Sequence, residues 1–302
     1  MITGIQCLCK AINRPETAQT WDGMWKVSNG TSQIGNNVRI ISLVLLATLL
    51  SSCNQTDLNH NFEGFEGFEG TFVLYDQNSA QYTIVNESRA MTRYSPFSTF
   101  KIPNSIIALE SRIVSDVDQI LTWDTLEYPK EDWWPQTWEG EHNLRSGIKY
   151  SVVPLYRTIA SLIGTDQMQS YVTKFYYGNT DISSGVDNFW LNGSLKISAH
   201  EQVEFLRKFY NGELSVSEHS INSVKSILIQ DSEESYSLSY KTGAGSTNIE
   251  KTEALGWLVG ILEKKDNIYY FAMNIEGKSF EEVLTPRLRI TKTILREVGI
   301  IS

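Results

Sequence analysis

Ser98-Thr99-Phe100-Lys101-Ile102-Pro103-Asn104-Ser105-Ile106-Ile107-Ala108-Leu109 is the stretch around which the chain is organised. A serine three residues before a lysine shares its helical face, one turn below the amine. The apolar positions Ile102, Ile106, Leu109 and Ile113 continue at helical spacing and predict a helix packed into a core. Pro103 is tolerated near the start of that helix, because first-turn amides have no intrahelical partner. A serine hydroxyl alone is a weak nucleophile. A lysine can act as its base only where burial keeps the amine neutral, and an apolar helix start supplies that burial. A second match to the spacing, Ser146-Gly147-Ile148-Lys149, reads as a polar, glycine-containing turn with no long apolar helix behind it, and is taken as structural.

Working outward, 302 residues with 41% apolar and 11% aromatic content permit one large domain or two small ones. A net charge of −9 and the lack of any basic run argue against nucleic acid or an anionic lipid surface as partner. No stretch approaches the roughly 20 apolar residues of a membrane span. Ile40 to Leu50 is apolar apart from Ser42 and Thr48, follows Arg39 and ends in small residues, the pattern of a secretory signal. Leu50-Ser51-Ser52-Cys53 also resembles a bacterial lipobox, which implies lipidation of Cys53 and a mature chain starting there. An ordinary signal cut a few residues away, with Cys53 incidental, is the alternative. Residues 1–38 are long for an n-region, which points to a start at Met24 or a misread start. The expected organisation is a leader over 1–52, a tether over 53–70 and a folded domain over 71–302. Cys7 and Cys9 fall in the leader, so the exported domain has no second cysteine for an internal disulfide and relies on its core.

The tether carries Phe62-Glu63-Gly64 three times over, through Phe65-Glu66-Gly67 and Phe68-Glu69-Gly70. A repeat this short cannot build a solenoid; it reads as a duplication lengthening the linker, or as phenylalanines docking on the domain. Thr71 to Tyr75 and Gln81 to Val85 flank a polar turn at Asp76-Gln77-Asn78-Ser79 and predict a hairpin. After the Ser98 helix comes a segment with Trp123, Trp133, Trp134 and Trp138, read as packing or as the wall of a cleft. Helices are predicted over 151–163 and 165–175 with Gly164 between them, from a capping box at Ser198 through Tyr210, and near 217–229. Ser235 to Lys241, Ala254 to Leu262 and Ile268 to Ile275 read as strands, the last two joined by Lys264-Lys265-Asp266-Asn267, and a final helix spans about 281–297. Sheet residues at both ends and an inserted helical block predict an α+β fold: an antiparallel sheet flanked by helices, with the insertion as a second lobe. Active sites favour the seam between two such lobes.

Lys241-Thr242-Gly243-Ala244-Gly245 closes a predicted strand, where glycines let an amide lie against the strand edge and a lysine adds positive potential. Ser151-Val152-Val153 opens a predicted helix, and a serine cap explains it by itself. Order adds weight: S-x-x-K at Ser98, S-x-V at Ser151, Tyr177-Gly178-Asn179, then K-T-G at Lys241. That series resembles the penicillin-recognising serine enzymes and, within them, the class D (oxacillinase-type) β-lactamases. Asn188-Phe189-Trp190-Leu191, Lys196-Ile197-Ser198 and Gly256-Trp257-Leu258-Val259-Gly260 add to the match, which spans roughly residues 70 to 301. S-x-V with Y-G-N separates class D from the S-D-N of class A. No zinc-hydrolase motif occurs and the four histidines are scattered.

The resemblance implies a serine β-lactamase or penicillin-binding transpeptidase-like fold acting on small-molecule β-lactams without an organic cofactor. It implies that Ser98 attacks the lactam carbonyl and that Lys101 is the general base, N-carboxylated by carbon dioxide or bicarbonate. Trp190 would donate to that carbamate, Val153 would line its apolar pocket, and Ser151 would relay a proton to the departing nitrogen. The N–H groups of Ser98 and Ala244 would form the oxyanion hole beside Gly243. Lys241, Thr242 and Arg287 would hold the substrate carboxylate, with Arg289 as the competitor for the last place. Ala244 stands where many relatives carry a bulkier residue, and Pro154 after S-x-V is a further departure. Two other readings share these residues: a penicillin-sensing receptor domain that acylates once, and a D,D-peptidase. A receptor needs transmembrane helices, and a peptidase does not typically carry the S-x-V and Trp190 set. The chain does not specify its oligomeric state.

Overall fold

The computed structural model describes residues 56–58, 63–191 and 193–302, so the expected leader and Cys53 lie outside the described residues. Seven strands form one sheet among them: β1 Thr56–Leu58, β2 Glu69–Asp76, β3 Gln81–Val85, β4 Ile229–Glu233, β5 Tyr236–Ser246, β6 Ala254–Lys264 and β7 Asn267–Gly277, in the order β1-β3-β2-β7-β6-β5-β4. Every pairing is antiparallel except the short β1–β3 edge. The helices are α1 Glu87–Met91, α2 Lys101–Glu110, α3 Leu144–Tyr150, α4 Val153–Ile163, α5 Thr165–Lys174, α6 Ala199–Tyr210, α7 Glu218–Lys225, α8 Phe280–Leu284 and α9 Pro286–Glu297.

β6 shows why the sheet is layered. Its residues 254–262 are all buried, as expected of a strand covered on both faces. Successive side chains alternate sides. Leu255, Trp257, Val259 and Ile261 join the core shared with α2, α4 and α6, while Ala254, Leu258 and Leu262 join a second core with α8 and α9. The helical block inserted between β3 and β4 therefore covers one face and the C-terminal helices the other. This is the α+β arrangement that the order of elements predicts.

Several boundaries differ from the sequence reading. The closing helix is two helices, because Pro286 takes the first turn of α9 and leaves α8 as a separate piece. The helix expected near 217–229 stops at Lys225, since Ile229–Glu233 is a polar edge strand. β5 does not end at Lys241 but runs through the glycines to Ser246. Ser146 lies on a helix, α3, rather than in a turn. Part of the segment expected to be tether also packs onto the domain. Phe65 is buried in the second core, Phe68 lies against it, and Glu66 pairs with Arg289. The docking alternative describes residues 63–70 better than a free linker does.

Candidate active site

Ser98 lies on a 3₁₀ turn, Phe97–Phe100, that leads straight into α2. One turn of chain brings the Lys101 Nζ to 2.9 Å from Ser98 Oγ. Lys101 is fully buried, and desolvation pulls its pKa from the ordinary lysine range down to about 7. The apolar helix start thus produces the nearly neutral amine that the chemistry requires.

The turn itself is held by Trp190 and by β5. Phe97 adopts φ +48°, a left-handed conformation unfavourable for an aromatic residue, and its N–H donates to Trp190 O at 3.0 Å. The Trp190 ring stacks on Phe100 with centroids 5.4 Å apart. Trp190 Nε1 is buried and has no acceptor among the described residues. On the opposite side β5 presses its glycines against the turn: a Cβ on Gly243 would come within 2.8 Å of Pro96 O. β4 pairs with β5 only as far as Tyr240, and beyond it residues 241–246 have β6 as their one strand partner among the described residues. An open strand edge therefore faces the nucleophile turn, a place where a substrate amide can lie.

Ser151 is not the N-cap of α4 but the C-cap of α3. It sits in the left-handed region, at φ 58° and ψ 39°, as the residue ending α3, and Val152 heads α4. Its Oγ accepts from Lys241 Nζ at 2.7 Å, and the same amine donates to Thr242 O at 2.9 Å. Lys241 is fully buried, and its pKa falls well below the ordinary value through desolvation, then the charges of Lys101 and Arg287. Val153 packs half-buried against the main core, and Pro154 fills the first turn of α4 without strain. Arg287 Nη1 donates to Gly243 O at 2.8 Å, and burial lowers its pKa to about 10. Arg289 points away to Glu66, so Arg287 is the arginine that the fold brings to the K-T-G strand.

Ser98 with Lys101 and Ser151 with Lys241 are thus two hydrogen-bonded pairs; Lys241 shares β5 with Thr242, Gly243 and Ala244, Arg287 bonds to Gly243 O, and Trp190 supports the Ser98 turn. Tyr177-Gly178-Asn179 has a different part. Gly178 is required at φ +58°, where a Cβ would lie 2.1 Å from Lys196 O, and Asn179 bonds the backbone of Ser194 and Lys196. The second S-x-x-K match is structural: Ser146 Oγ accepts from Asn143 N in the capping box of α3, and Lys149 is exposed. Trp123, Trp134 and Trp138 pack on one another and also wall a cavity of about 340 Å³ with Lys130, Pro135 and Glu139. Trp138 Nε1 donates to Tyr150 O at 2.8 Å, one residue before Ser151. Sequence reasoning missed Gln202, whose amide reaches Thr99 in the nucleophile turn. The available signal was a glutamine on the apolar face of α6 among Ala199, Phe205 and Leu206.

Comparison with known proteins agrees with this geometry. Residues 70–298 match the penicillin binding protein transpeptidase domain. The chain is 42% identical over 232 residues to the β-lactamase OXA-48 of Klebsiella pneumoniae, covering 77% of this chain and 84% of that protein. Among solved structures it resembles FUS-1 (OXA-85), a class D β-lactamase from Fusobacterium nucleatum subsp. polymorphum, with a TM-score of 0.72 and 36% identity over 80% of this chain and 96% of that one. It is also 34% identical over 291 residues to the methicillin resistance mecR1 protein of Staphylococcus aureus, covering 93% of this chain but only 48% of that longer protein. With a lysine amine on the serine of its S-x-x-K turn, and relatives of this closeness over most of its length, the chain belongs to the class D serine β-lactamases.

Proposed function

We propose that the protein opens the β-lactam amide of penicillin-type antibiotics through an acyl-enzyme on Ser98 and so confers resistance to them. The observation that carries this reading is the 2.9 Å contact between Ser98 Oγ and a fully buried Lys101 amine. Lys101 takes the hydroxyl proton as Ser98 Oγ bonds to the lactam carbonyl carbon. The N–H groups of Ser98 and Ala244 stabilise the resulting oxyanion, where loss of one donor typically costs about 2.7–4 kcal/mol. As the carbon–nitrogen bond breaks, Ser151, hydrogen-bonded from Lys241, relays a proton to the departing nitrogen. Lys241, Thr242 and Arg287 hold the substrate carboxylate, and water then hydrolyses the ester.

Lys101 and Trp190 fit an N-carboxylated lysine. A neutral amine is the form that adds carbon dioxide, and Trp190 Nε1 is a buried donor lacking an acceptor among the described residues. When present, the carboxylate of such a lysine supplies the general base. Trp190 orients it and Val153 keeps its surroundings apolar. No organic cofactor is needed.

Turnover of a chromogenic cephalosporin tests the reading. Continuous hydrolysis, abolished in Ser98→Ala and retained in Ser146→Ala, is expected. A stoichiometric burst without turnover overturns it in favour of an acylate-once domain, the second reading, which the likeness to the longer staphylococcal protein favours. From the sequence alone we further propose export to the bacterial cell envelope with a lipid anchor on Cys53. Acyl chains add membrane affinity at about 0.8 kcal/mol per buried methylene. Cys53→Ser is expected to move the protein to the soluble fraction, and unchanged partitioning refutes the anchor.

A further inference from the structure

Three buried side chains outside the catalytic set form one hydrogen-bonded line that ends on the nucleophile turn. Tyr177 Oη donates to Gln202 Oε1 at 3.2 Å, Gln202 Nε2 donates to Thr99 Oγ1 at 2.8 Å, and Thr99 Oγ1 donates to Pro96 O at 2.8 Å. Tyr177, Gln202 and Thr99 are all excluded from solvent. Each link follows from the last. Thr99 has one hydroxyl proton and uses it on Pro96 O, so the group facing its oxygen must be a donor. That requirement turns the Gln202 amide nitrogen toward Thr99 and its oxygen toward the Tyr177 hydroxyl. Thr99 N–H donates to the same Pro96 carbonyl at 3.2 Å, so one residue closes the turn twice.

The residues enclosed by this closure are Phe97 and Ser98. Phe97 is held at φ +48°, and such a conformation persists only where its surroundings over-determine it. Trp190 O and the glycines of β5 each restrain the turn, and the Tyr177–Gln202–Thr99 line adds a further restraint through Pro96 O. Replacing a buried hydrogen-bonded amide by an apolar group of like shape need not weaken a core. A glutamine on the apolar face of α6 therefore calls for a reason beyond packing.

We infer that Gln202, acting through Thr99, is a positioning residue for acylation: it holds the Pro96–Thr99 turn so that Ser98 Oγ stays on Lys101 Nζ. Gln202 touches no reacting atom, and the inference rests on Ser98 being the nucleophile. Tyr177 sets the orientation of the Gln202 amide and also lies within side-chain hydrogen-bonding reach of Thr99 itself.

The rate of Ser98 acylation by a chromogenic cephalosporin, read as the mass shift of the Ser98 peptide at short times, tests this alongside thermal melting. Gln202→Met keeps length and burial and drops both hydrogen bonds. It should slow acylation at least about tenfold, since small displacements of reacting groups are costly. Half-saturation should change by less than about threefold, the pattern of a loss felt in the transition state. Tyr177→Phe, which leaves the Gln202–Thr99 hydrogen bond in place, should slow acylation less. Thr99→Ser should retain the rate that Thr99→Val loses. A folded Gln202→Met with the wild-type rate overturns the inference. If Gln202→Met does not fold, equal rates in Thr99→Val and Thr99→Ser overturn it. A wild type that acylates without turnover refutes the hydrolase reading alone, because acylation is what is measured here.

Discussion

At the scale of single residues, the chemistry depends on one proton. Burial lowers the Lys101 pKa to about 7, so the amine is neutral above that pH and protonated below it. A protonated ammonium can neither accept the Ser98 proton nor add carbon dioxide. The sign is therefore fixed: acylation rises as pH increases through about 7 and falls as pH drops below it. A free amine and a carboxylated one predict the same direction but differ in their response to bicarbonate. Added bicarbonate should restore turnover in degassed, mildly acidic buffer if Lys101 is carboxylated, and should have no effect if it is not. Trp190 offers the matching variant, because its indole N–H is buried without an acceptor among the described residues. Trp190→Phe removes that donor and keeps most of the ring packing on Phe100. With Lys101 carboxylated, the substitution would leave one oxygen of that group unpaired, at about 1–3 kcal/mol. The variant should acylate on Ser98, deacylate slowly, and recover in part with bicarbonate. Prompt deacylation would show that Trp190 supports the turn only by packing.

At the scale of elements, the site depends on how closely β5 approaches the Phe97–Phe100 turn. A Cβ on Gly243 would meet Pro96 O at 2.8 Å and Thr99 N at 3.2 Å, and both are backbone atoms with little room to move. Gly243→Ala should therefore part strand and turn, and lower kcat/KM at least about tenfold, or about 1.4 kcal/mol. Steady-state kinetics beside a thermal melt would read this, and wild-type kinetics would mean that the seam has slack. The reason for that glycine lies in a long-range contact which no local pattern encodes. Much else at this scale was legible. The hairpin over β2 and β3, the capping box of α6 and the break at Gly164 follow from turn chemistry and periodicity. What escaped has physical causes. β4 is a polar edge strand with no alternation to detect, and α3 is a single short helix containing Gly147. Ser151 looked like an N-cap because serine commonly is one, and only the fold reveals that it closes α3 and that Lys241 claims its hydroxyl.

At the scale of the whole molecule, the sheet takes strands from both ends of the domain and lays a separate core on each face. The first core carries the nucleophile and was readable from the apolar face of α2. The second is built by β2, β6, β7, α8 and α9, and its contact with the Phe-Glu-Gly repeat was only one of two readings of the sequence, since a three-residue period has no structural signature of its own to decide between them. Phe65 fills this core so closely that a Cβ on Gly70 would touch its ring at 2.7 Å. The nearby Glu66–Arg289 pair, largely exposed on the arginine side, adds little, because surface ion pairs are worth about 0–1 kcal/mol. Burial of the ring is the larger effect. Phe65→Ala should destabilise the domain by about 3–5 kcal/mol, the usual cost of deleting a buried phenyl ring. In urea unfolding this appears as a lower midpoint at unchanged slope, with kinetics intact at 25 °C because Phe65 and the Phe97 and Phe100 that flank Ser98 lie in different cores. Phe68→Ala, at a half-buried position, should cost less. A midpoint unmoved by Phe65→Ala would mean that the repeat is a free tether in solution and that the domain closes its second core without it.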